Sequence, residues 1–568
     1  MVSGYYLLIA RFLFVVFVLI IFNRIRKMML RQFRSNKVLA VLEIDGGHIN
    51  LPVYHHEATI GRSKSCDVVI PLVIISRQHA VLTMDDDGTW RIADTKSKSG
   101  ILINGKEFDK NTVIEYEDKI DLAGINIVLK SADGYSHKDF YKYKKSKLVK
   151  MFKEIFEKFK SKNPKPISPV STLVMLNIFQ AFAMFKAYSS VDDKYYMHLL
   201  ISFCVVFAMP WISLGISKSL GIINTGTQTA AFFLSTMGLS IIASTSPSGL
   251  LKQTGAFVLG VFLFFTLCWV LKNLKLVMKL RPYVGILSLL ILGANILLGS
   301  TINGQANWIR LGGISIQPSE FVKILFIFTG AATLEWLLTA KNLIILTLYS
   351  ISCMGCLFLM GDFGTASIFF IAFLVLVFLT SGDIRAIILS CVSAALGGVM
   401  LLNFKPYVVQ RFSAWGNVWN PLNVNASGYQ QTRALMAIAS GGLLGLGSGN
   451  GFLRSVFAAD TDLVFGIICE EWGLLIAFAV AGCYVLFLIA SMRCYKSTRS
   501  SYYVIAACTA ATVFLFQSSL NIFGTVDILP LTGVTLPFIS NGGSSMAASW
   551  GLLSFISAAL NYKKAIIS

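Results

Sequence analysis

Residues 458–473 read AADTDLVFGIICEEWG. Asp460 and Asp462 stand where an apolar stretch begins, and Glu470 and Glu471 lie inside it. The stretch continues to about residue 490 without another charge, long enough to cross a bilayer. Carboxylates at membrane depth are costly and are kept for a partner or a function. The whole chain shares this character. It is 55% hydrophobic and only 14% charged, whereas about a quarter of residues are charged in soluble domains. The expected fold class is a polytopic α-helical membrane protein carrying one small all-β domain. A net charge of +20 would suggest nucleic acid in a soluble protein. Here Lys and Arg gather in short segments beside the apolar runs, which is a topology signal and excludes nucleic acid as the partner. The ten cysteines are scattered, several within apolar runs (Cys204, Cys268, Cys353), and read as small hydrophobes.

Outward from that stretch, the chain divides into five parts. Residues 1–23 hold an apolar run, and Arg24, Arg26 and Lys27 follow at once. That order predicts an uncleaved anchor with its N-terminus outside. Residues 38–131 change to short alternating runs (VLAVLEI, HAVLTM, INIVLK) between Gly, Asp and Asn turns. They predict a β-sandwich on the cytoplasmic side. The Lys-rich segment 132–167 is either an amphipathic helix on the anionic inner leaflet or a solvated linker. Twelve further apolar spans follow, near 168–188, 196–216, 226–243, 254–271, 283–299, 320–338, 342–360, 363–381, 385–402, 462–490, 503–523 and 544–561. The first two (168–220) are set apart from a core at 221–562. The basic loops KNLKLVMKLR and RCYKSTR fall inside, and the 403–461 segment falls outside.

Within the sandwich, Gly61–Arg62, Ser76–His79 (SRQH) and Asn104–Gly105 occur in the order and spacing of a forkhead-associated (FHA) domain, which this region resembles. The resemblance implies binding of a phosphothreonine protein. Arg62 and Ser76 would hold the phosphate, Arg77 would lie beside it, and His79 would be structural. A phosphate dianion needs such charge-assisted donors. Ser99 stands where that family usually has an Asn that orients the peptide.

Five blocks in the core resemble the SEDS family, which includes FtsW and RodA: NWIRLGGISIQPSEFVKI, GDFGTA, GYQQTRALMAIASGGLLGLGSG, TDLVFGIICEEWG and LPLTGVTLPFISNGGSS. The resemblance implies ten core spans, with about three extra here. It also implies peptidoglycan glycosyltransferase activity on lipid II at the outer face of the bacterial cytoplasmic membrane, beside a class B penicillin-binding transpeptidase. Division, elongation and sporulation are all compatible with it.

Joining a sugar hydroxyl to an anomeric carbon that carries pyrophosphate needs a base for the hydroxyl proton and cations for the leaving group. Asp462 matches the family's essential Asp and is the candidate base; taken alone it would read as a helix-start acid. In a continuous helix, Gly466, Cys469 and Gly473 share its face, and Glu470 lies about 12 Å deeper. Glu470 and Glu471 then read as interior hydrogen-bonding or packing groups. Glu320 and Lys323 lie one turn apart and are expected to pair at the site mouth. Arg310 is either a pyrophosphate ligand or an interfacial anchor, and Asp362 would support the site. Arg433 replaces a Gln common in the family and is a further phosphate-ligand candidate. FAADTDL likewise lacks the Pro-Glu usual before the Asp. No cofactor is implied, although outer carboxylates could hold a divalent cation with the pyrophosphate. Two other readings stay open: a lipid II transporter, which needs a polar path through the membrane depth, and a catalytically silent scaffold.

Overall fold

The computed structural model describes the chain apart from residues 1, 31–37, 45–48, 55–56, 63–65, 73, 86, 96, 98, 108–111, 134, 136–166, 303–304, 312–313, 335–339, 382–387, 389, 393–414, 495–499 and 562–568. The basic linker and most of the expected 385–402 span therefore lie outside the described residues.

The alternating runs of the N-terminal third form two packed sheets. One orders its strands β2 (Ile49–Val53), β1 (Ala40–Ile44), β11 (Ile125–Ser131), β10 (Lys119–Leu122), β7 (Ile101–Ile103) and β8 (Lys106–Glu107). The other runs β4 (Val68–Val69), β3 (Glu57–Gly61), β5 (Ala80–Met84), β6 (Trp90–Asp94) and β9 (Thr112–Ile114). Register places Leu42 opposite Leu129 and Leu82 opposite Ile92. These four side chains are buried in one sandwich core with Ile60, Trp90 and Ile120, as period-two patterning requires.

The rest is helical. Helix α1 (Val2–Met29) precedes the sandwich. After the linker come α2 (Pro169–Tyr188), α3 (Tyr196–Leu220), α4 (Gly226–Thr245), α5 (Leu250–Leu271) and α6 (Leu274–Leu298). A three-stranded sheet follows, made of β12 (Ser300–Ile302), β13 (Gln305–Leu311) and β14 (Ile314–Ile316). Then come α7 (Pro318–Leu334), α8 (Ala340–Leu359) and α9 (Phe363–Ser381). Two shorter helices, α10 (Pro421–Val424) and α11 (Tyr429–Gly441), precede α12 (Val464–Ile467), α13 (Leu474–Arg493), α14 (Ser501–Thr525) and α15 (Gly543–Asn561). Among the described residues, seven helices are long and apolar enough to cross a membrane: α2, α3, α5, α6, α13, α14 and α15. Helix α4 is enclosed on every side, with Thr227, Gln228, Ser235, Thr236 and Ser240 all buried. Its Ser, Thr and Gln content lowers its hydropathy, and small side chains let neighbouring helices approach it. All ten cysteines are free thiols. Cys353 and Cys356 have a C-x-x-C spacing within α8, where the first is buried and the second half-buried.

The structure corrects one expectation directly. Residues 462–490 are not a single helix. After α12 the chain makes a π-helical turn, Ile468–Trp472, and Gly473 (φ +87°) breaks the path before α13 begins. The shared face expected for Asp462, Gly466, Cys469 and Gly473, and the depth expected for Glu470, both assumed an unbroken helix. They fall with it. Close packing against the glycine-rich segment before Asp462 causes the break. Leu446 and Gly447 N–H donate to the carbonyls of Glu470 and Glu471 (2.8 and 3.0 Å).

The two ends of the bundle are distinct. Arg493, closing α13, donates to Leu30 O at the end of α1 (3.2 Å), and Arg24 donates to Ser171 at the start of α2. The sandwich joins this end, where Ser501 N at the start of α14 donates to Glu57 (3.2 Å). Asp462 lies beyond the opposite end of α13, which is also where α14 finishes.

Candidate active site

An irregular loop between α14 and α15, residues 526–542, gathers the polar blocks. Its residues from Leu536 to Ser540 are buried, and irregular backbone inside a membrane protein persists only where its polar groups are satisfied. Side chains from the surrounding helices satisfy them. Asn521 Nδ2 donates to Val534 O (2.8 Å), Gln517 Nε2 to Thr535 O (3.0 Å), Tyr484 Oη to Pro537 O (2.7 Å) and Gln253 Nε2 to Ser540 O (3.2 Å).

This loop grips residues 460–462 one after another. Asn541 donates to the Asp460 carboxylate through Nδ2 (2.7 Å) and to its carbonyl through N (2.9 Å), and Ser246 Oγ adds a third bond (2.9 Å). Ser540 Oγ donates to Thr461 O (2.6 Å). Asn521 Nδ2 donates to Asp462 O (3.0 Å) while also holding Val534. Asp462 itself is half-buried, and its carboxylate faces Gly533, where an added Cβ would lie 3.4 Å from Oδ2. Its backbone is fixed at both polar groups, the carbonyl by Asn521 and the N–H by Ala458 O (2.9 Å).

Glu320 and Lys323 are 5% and 3% exposed, with Lys323 Nζ 2.8 Å from Glu320 Oε2. Lys323 also donates to Gln517 Oε1 (2.9 Å). Gln517 in turn holds Thr535, whose hydroxyl is 2.7 Å from that of Ser545. The pair thus braces the loop two residues from Gly533. Asp362 caps α9, accepting from Thr365 N (3.0 Å), and also accepts from Asn307 Nδ2 (2.8 Å) and Gln317 Nε2 (3.2 Å). Two positions on, Gly364 packs directly on Thr532 and Val534. Arg310 is exposed on β13, paired with Ser315. Arg433 stacks on Tyr429 (5.0 Å from the ring centre) and approaches Met436 Sδ (3.6 Å), both on its own helix.

Glu470 and Glu471 are fully buried and hold the glycine-rich segment that leads into Asp462. Glu470 accepts from Phe452 N (2.9 Å) and Leu453 N (3.1 Å), and Glu471 accepts from Gly449 N (3.0 Å). Among the described residues, no group of three or more His, Cys, Asp or Glu is placed to hold a metal ion. Asn521, Asn541, Gln517 and Ser246 are site residues that sequence reasoning missed, and Asp460 was noted there beside Asp462 without a role. Asn541 alone carried a signal, inside the ISNGG block.

In the sandwich, the buried His79 bridges two loops. Its Nδ1 accepts from Ser76 N (3.2 Å), which leaves Nε2 to donate to Gly100 O (3.1 Å). Arg62 N donates to Ser76 O (3.0 Å). Arg62, Ser76 and Ser99 are thereby brought to one end of the sandwich. The side chains of Arg62, Arg77 and Ser99 are exposed there, and Ser76 is half-buried.

A membrane bundle in which separate polar blocks close on one loop is what the comparisons with known proteins recognise. Residues 229–565 match the cell cycle protein family of FtsW, RodA and SpoVE. The chain belongs to this family. Residues 58–123 match the FHA domain. A probable peptidoglycan glycosyltransferase FtsW of Coxiella burnetii is 31% identical over 336 residues, covering 55% of this chain and 88% of that protein. A peptidoglycan glycosyltransferase RodA of Mycobacterium leprae is 32% identical over 272 residues, covering 45% of this chain and 58% of the relative's own length. A solved chain from a peptidoglycan synthase complex, studied for its coordination of polymerisation and crosslinking, superposes with a TM-score of 0.51 at 26% identity. That superposition covers 59% of this chain and 98% of the other. Family members carry the names of peptidoglycan glycosyltransferases, and this chain combines their bundle with an FHA sandwich.

Proposed function

We propose that this protein polymerises peptidoglycan glycan strands from lipid II at the outer face of a bacterial cytoplasmic membrane. Asp462 is the general base. Its carboxylate takes the proton of the acceptor sugar's 4-hydroxyl as that oxygen bonds to the anomeric carbon of the donor. The donor's carbon–oxygen bond breaks, and the lipid pyrophosphate departs. The observation that carries the reading is the grip on residues 460–462. Asn541 and Ser246 hold the Asp460 carboxylate, Ser540 holds Thr461 O and Asn521 holds Asp462 O, which fixes the backbone that carries the half-buried Asp462 carboxylate. Fixing a base in this way is what general-base catalysis requires, an effect typically worth about 10²–10⁴-fold.

The exposed Arg310 and the half-buried Arg433 are the candidates for the pyrophosphate charge. Glu320, Lys323 and Asp362 act differently. Their side chains are buried, Glu320 and Lys323 on each other and Asp362 on Thr365, Asn307 and Gln317, so they position the loop and the helix starts around the site. The sandwich lies at the other end of the bundle, together with Arg24, Arg26 and Arg493, which fits a cytoplasmic location under the positive-inside rule. Its exposed Arg62 and Arg77 beside Ser76 suit a phosphothreonine ligand. Phosphorylation of a partner protein then regulates strand synthesis in division, elongation or sporulation. The likeness to a chain of a peptidoglycan synthase complex supports a class B penicillin-binding transpeptidase as the partner.

The test is polymerisation of purified lipid II by the full-length protein with its partner synthase, beside Asp462→Asn. The expected result is strands from the wild type and a fall of at least about 100-fold in the variant. Equal activity of the two proteins removes Asp462 as the base. No strands from either, with lipid II crossing protein-containing vesicles, replaces the enzyme by a transporter. Silence in both assays leaves a scaffold.

A further inference from the structure

The glycine-rich segment 441–451 is held by parts of the chain that the family match, residues 229–565, does not include. Arg11, on α1, donates through Nη1 to Gly445 O (3.0 Å) and through Nη2 to Leu446 O (2.6 Å). Lys186, in the last turn of α2, donates to Glu471 O (3.3 Å), and its ammonium lies 3.8 Å from the centre of the Trp472 ring. The hydroxyls of Ser190, just past α2, and Ser448 are 3.5 Å apart, and Gly449 packs on Ser190 so closely that any side chain there would strike it. Phe14 and Phe179 complete the contact, each within 6.3 Å of Trp472 between ring centres. Two cations from two added helices thus bond three carbonyls, Gly445 and Leu446 on the segment before Asp462 and Glu471 on the π-helical turn after it, the last two shared with Asn450 Nδ2 and Gly447 N respectively. A cationic donor makes the bond stronger than a neutral one, and Gly445 O takes its side-chain donor from Arg11.

We propose that α1 and α2 form a strap in which Arg11 and Lys186 are positioning residues for the 441–451 segment. Through Glu470 and Glu471 they set the place of Asp462. Helix α1 is also the element from which the chain continues into the sandwich, so one helix joins the phosphopeptide-binding domain at one end of the bundle to the catalytic turn at the other. The catalytic half of this proposal rests on the polymerase reading. The structural half does not.

The experiment compares the full-length wild type with Arg11→Ala, Lys186→Met, Arg11→Lys and Arg24→Ala. Arg24 lies on the same helix but bonds Ser171 at the opposite end, so it controls for general loosening of α1. Two quantities are read: hydrogen exchange at the amides of Leu446 and Gly447, and kcat and KM for lipid II. Arg11→Ala and Lys186→Met are each expected to speed exchange there about tenfold. They should also lower kcat about tenfold, with KM within about twofold of wild type. Arg11→Lys should recover part of both, and Arg24→Ala should change neither. Unchanged exchange in Arg11→Ala and Lys186→Met overturns the strap, as does an equal effect from Arg24→Ala. Faster exchange with unchanged kcat overturns the positioning role. If the wild type makes no strands, the polymerase reading fails, and the exchange measurement alone decides the strap.

Discussion

Lys323 and Glu320 show why an ionic pair belongs in so apolar a bundle. Each is nearly inaccessible, and each is paired at 2.8 Å. Gln517 takes another of the ammonium protons and hands the connection on to Thr535. A buried pair of this kind adds little net stability, yet breaking it strands a charge. Lys323→Met should therefore destabilise the protein by about 3–5 kcal/mol, read as a fall in melting temperature in detergent. The double variant Glu320→Gln/Lys323→Met should recover most of that loss. Failure of the double variant to recover would mean that the Lys323–Gln517 bond, and not the charge balance, holds the loop. Asp460 makes a related point. It stands two residues before the candidate base, and its Oδ2 accepts from both Asn541 and Ser246, so it acts as a tether while Asp462 stays half-exposed.

The element that most shapes the site is the glycine-rich segment folded over the π-helical turn. Both carboxylates of that turn accept backbone N–H groups of the segment and the residues just after it. Glu470 takes two, one on each oxygen, which offsets its full burial, while Glu471 takes one through Oε1 and leaves Oε2 without a hydrogen bond. Gly451 lies against the Glu470 carboxylate with no room for a side chain. Gly451→Ala should push Glu470 away from Phe452 N and Leu453 N. Losing bonds to a charged acceptor should cost about 2–3 kcal/mol, seen as a lower melting temperature and faster exchange at those two amides. Gly255→Ala, on α5 where nothing lies within 4 Å, is the matched control and should be close to neutral. Unchanged amide protection at Phe452 in Gly451→Ala would show that the carboxylate can step aside.

Across the whole molecule, the sandwich meets the bundle where Glu57 accepts from Ser501 N and Ser500 Oγ (3.2 and 3.3 Å) at the start of α14. Burial in this contact raises the Glu57 carboxyl above its ordinary value of 4.5. The sign follows from linkage. The docked state holds the proton more tightly than the undocked state, so docking is strongest below the ordinary value and weakens as pH rises through the raised one. Spin labels on the sandwich and on α13 should report a docked population that falls with rising pH in the wild type. Glu57→Gln, which keeps an acceptor but cannot ionise, should remove the slope. A slope that persists in the variant would place the titrating group elsewhere. Helix α14 runs from this contact to Asn521 at the candidate site, so the sandwich connects to that end along α14 as well as along α1.

Composition and periodicity determined the helical bundle and the sandwich, because transfer from water to hydrocarbon and the two-residue period of a strand act on residues independently of their distant neighbours. The motif blocks located Asp462, Glu320, Lys323 and Asp362 through their resemblance to the family; Glu320 and Asp362 also stand at helix starts, which local sequence signals. Tertiary structure alone decided what those residues touch. The break at Ile468–Trp472 could not be read from an apolar run, since it exists only because the 441–451 segment, more than fifteen residues earlier, presses its amides against that turn. Asn521, Gln517 and Ser246 were equally silent. A single polar residue shows no pattern until its partner is in place: the 526–542 loop must fold back on α14 before Asn521 and Gln517 meet Val534 and Thr535, and Ser246, between α4 and α5, meets Asp460 only in the folded bundle.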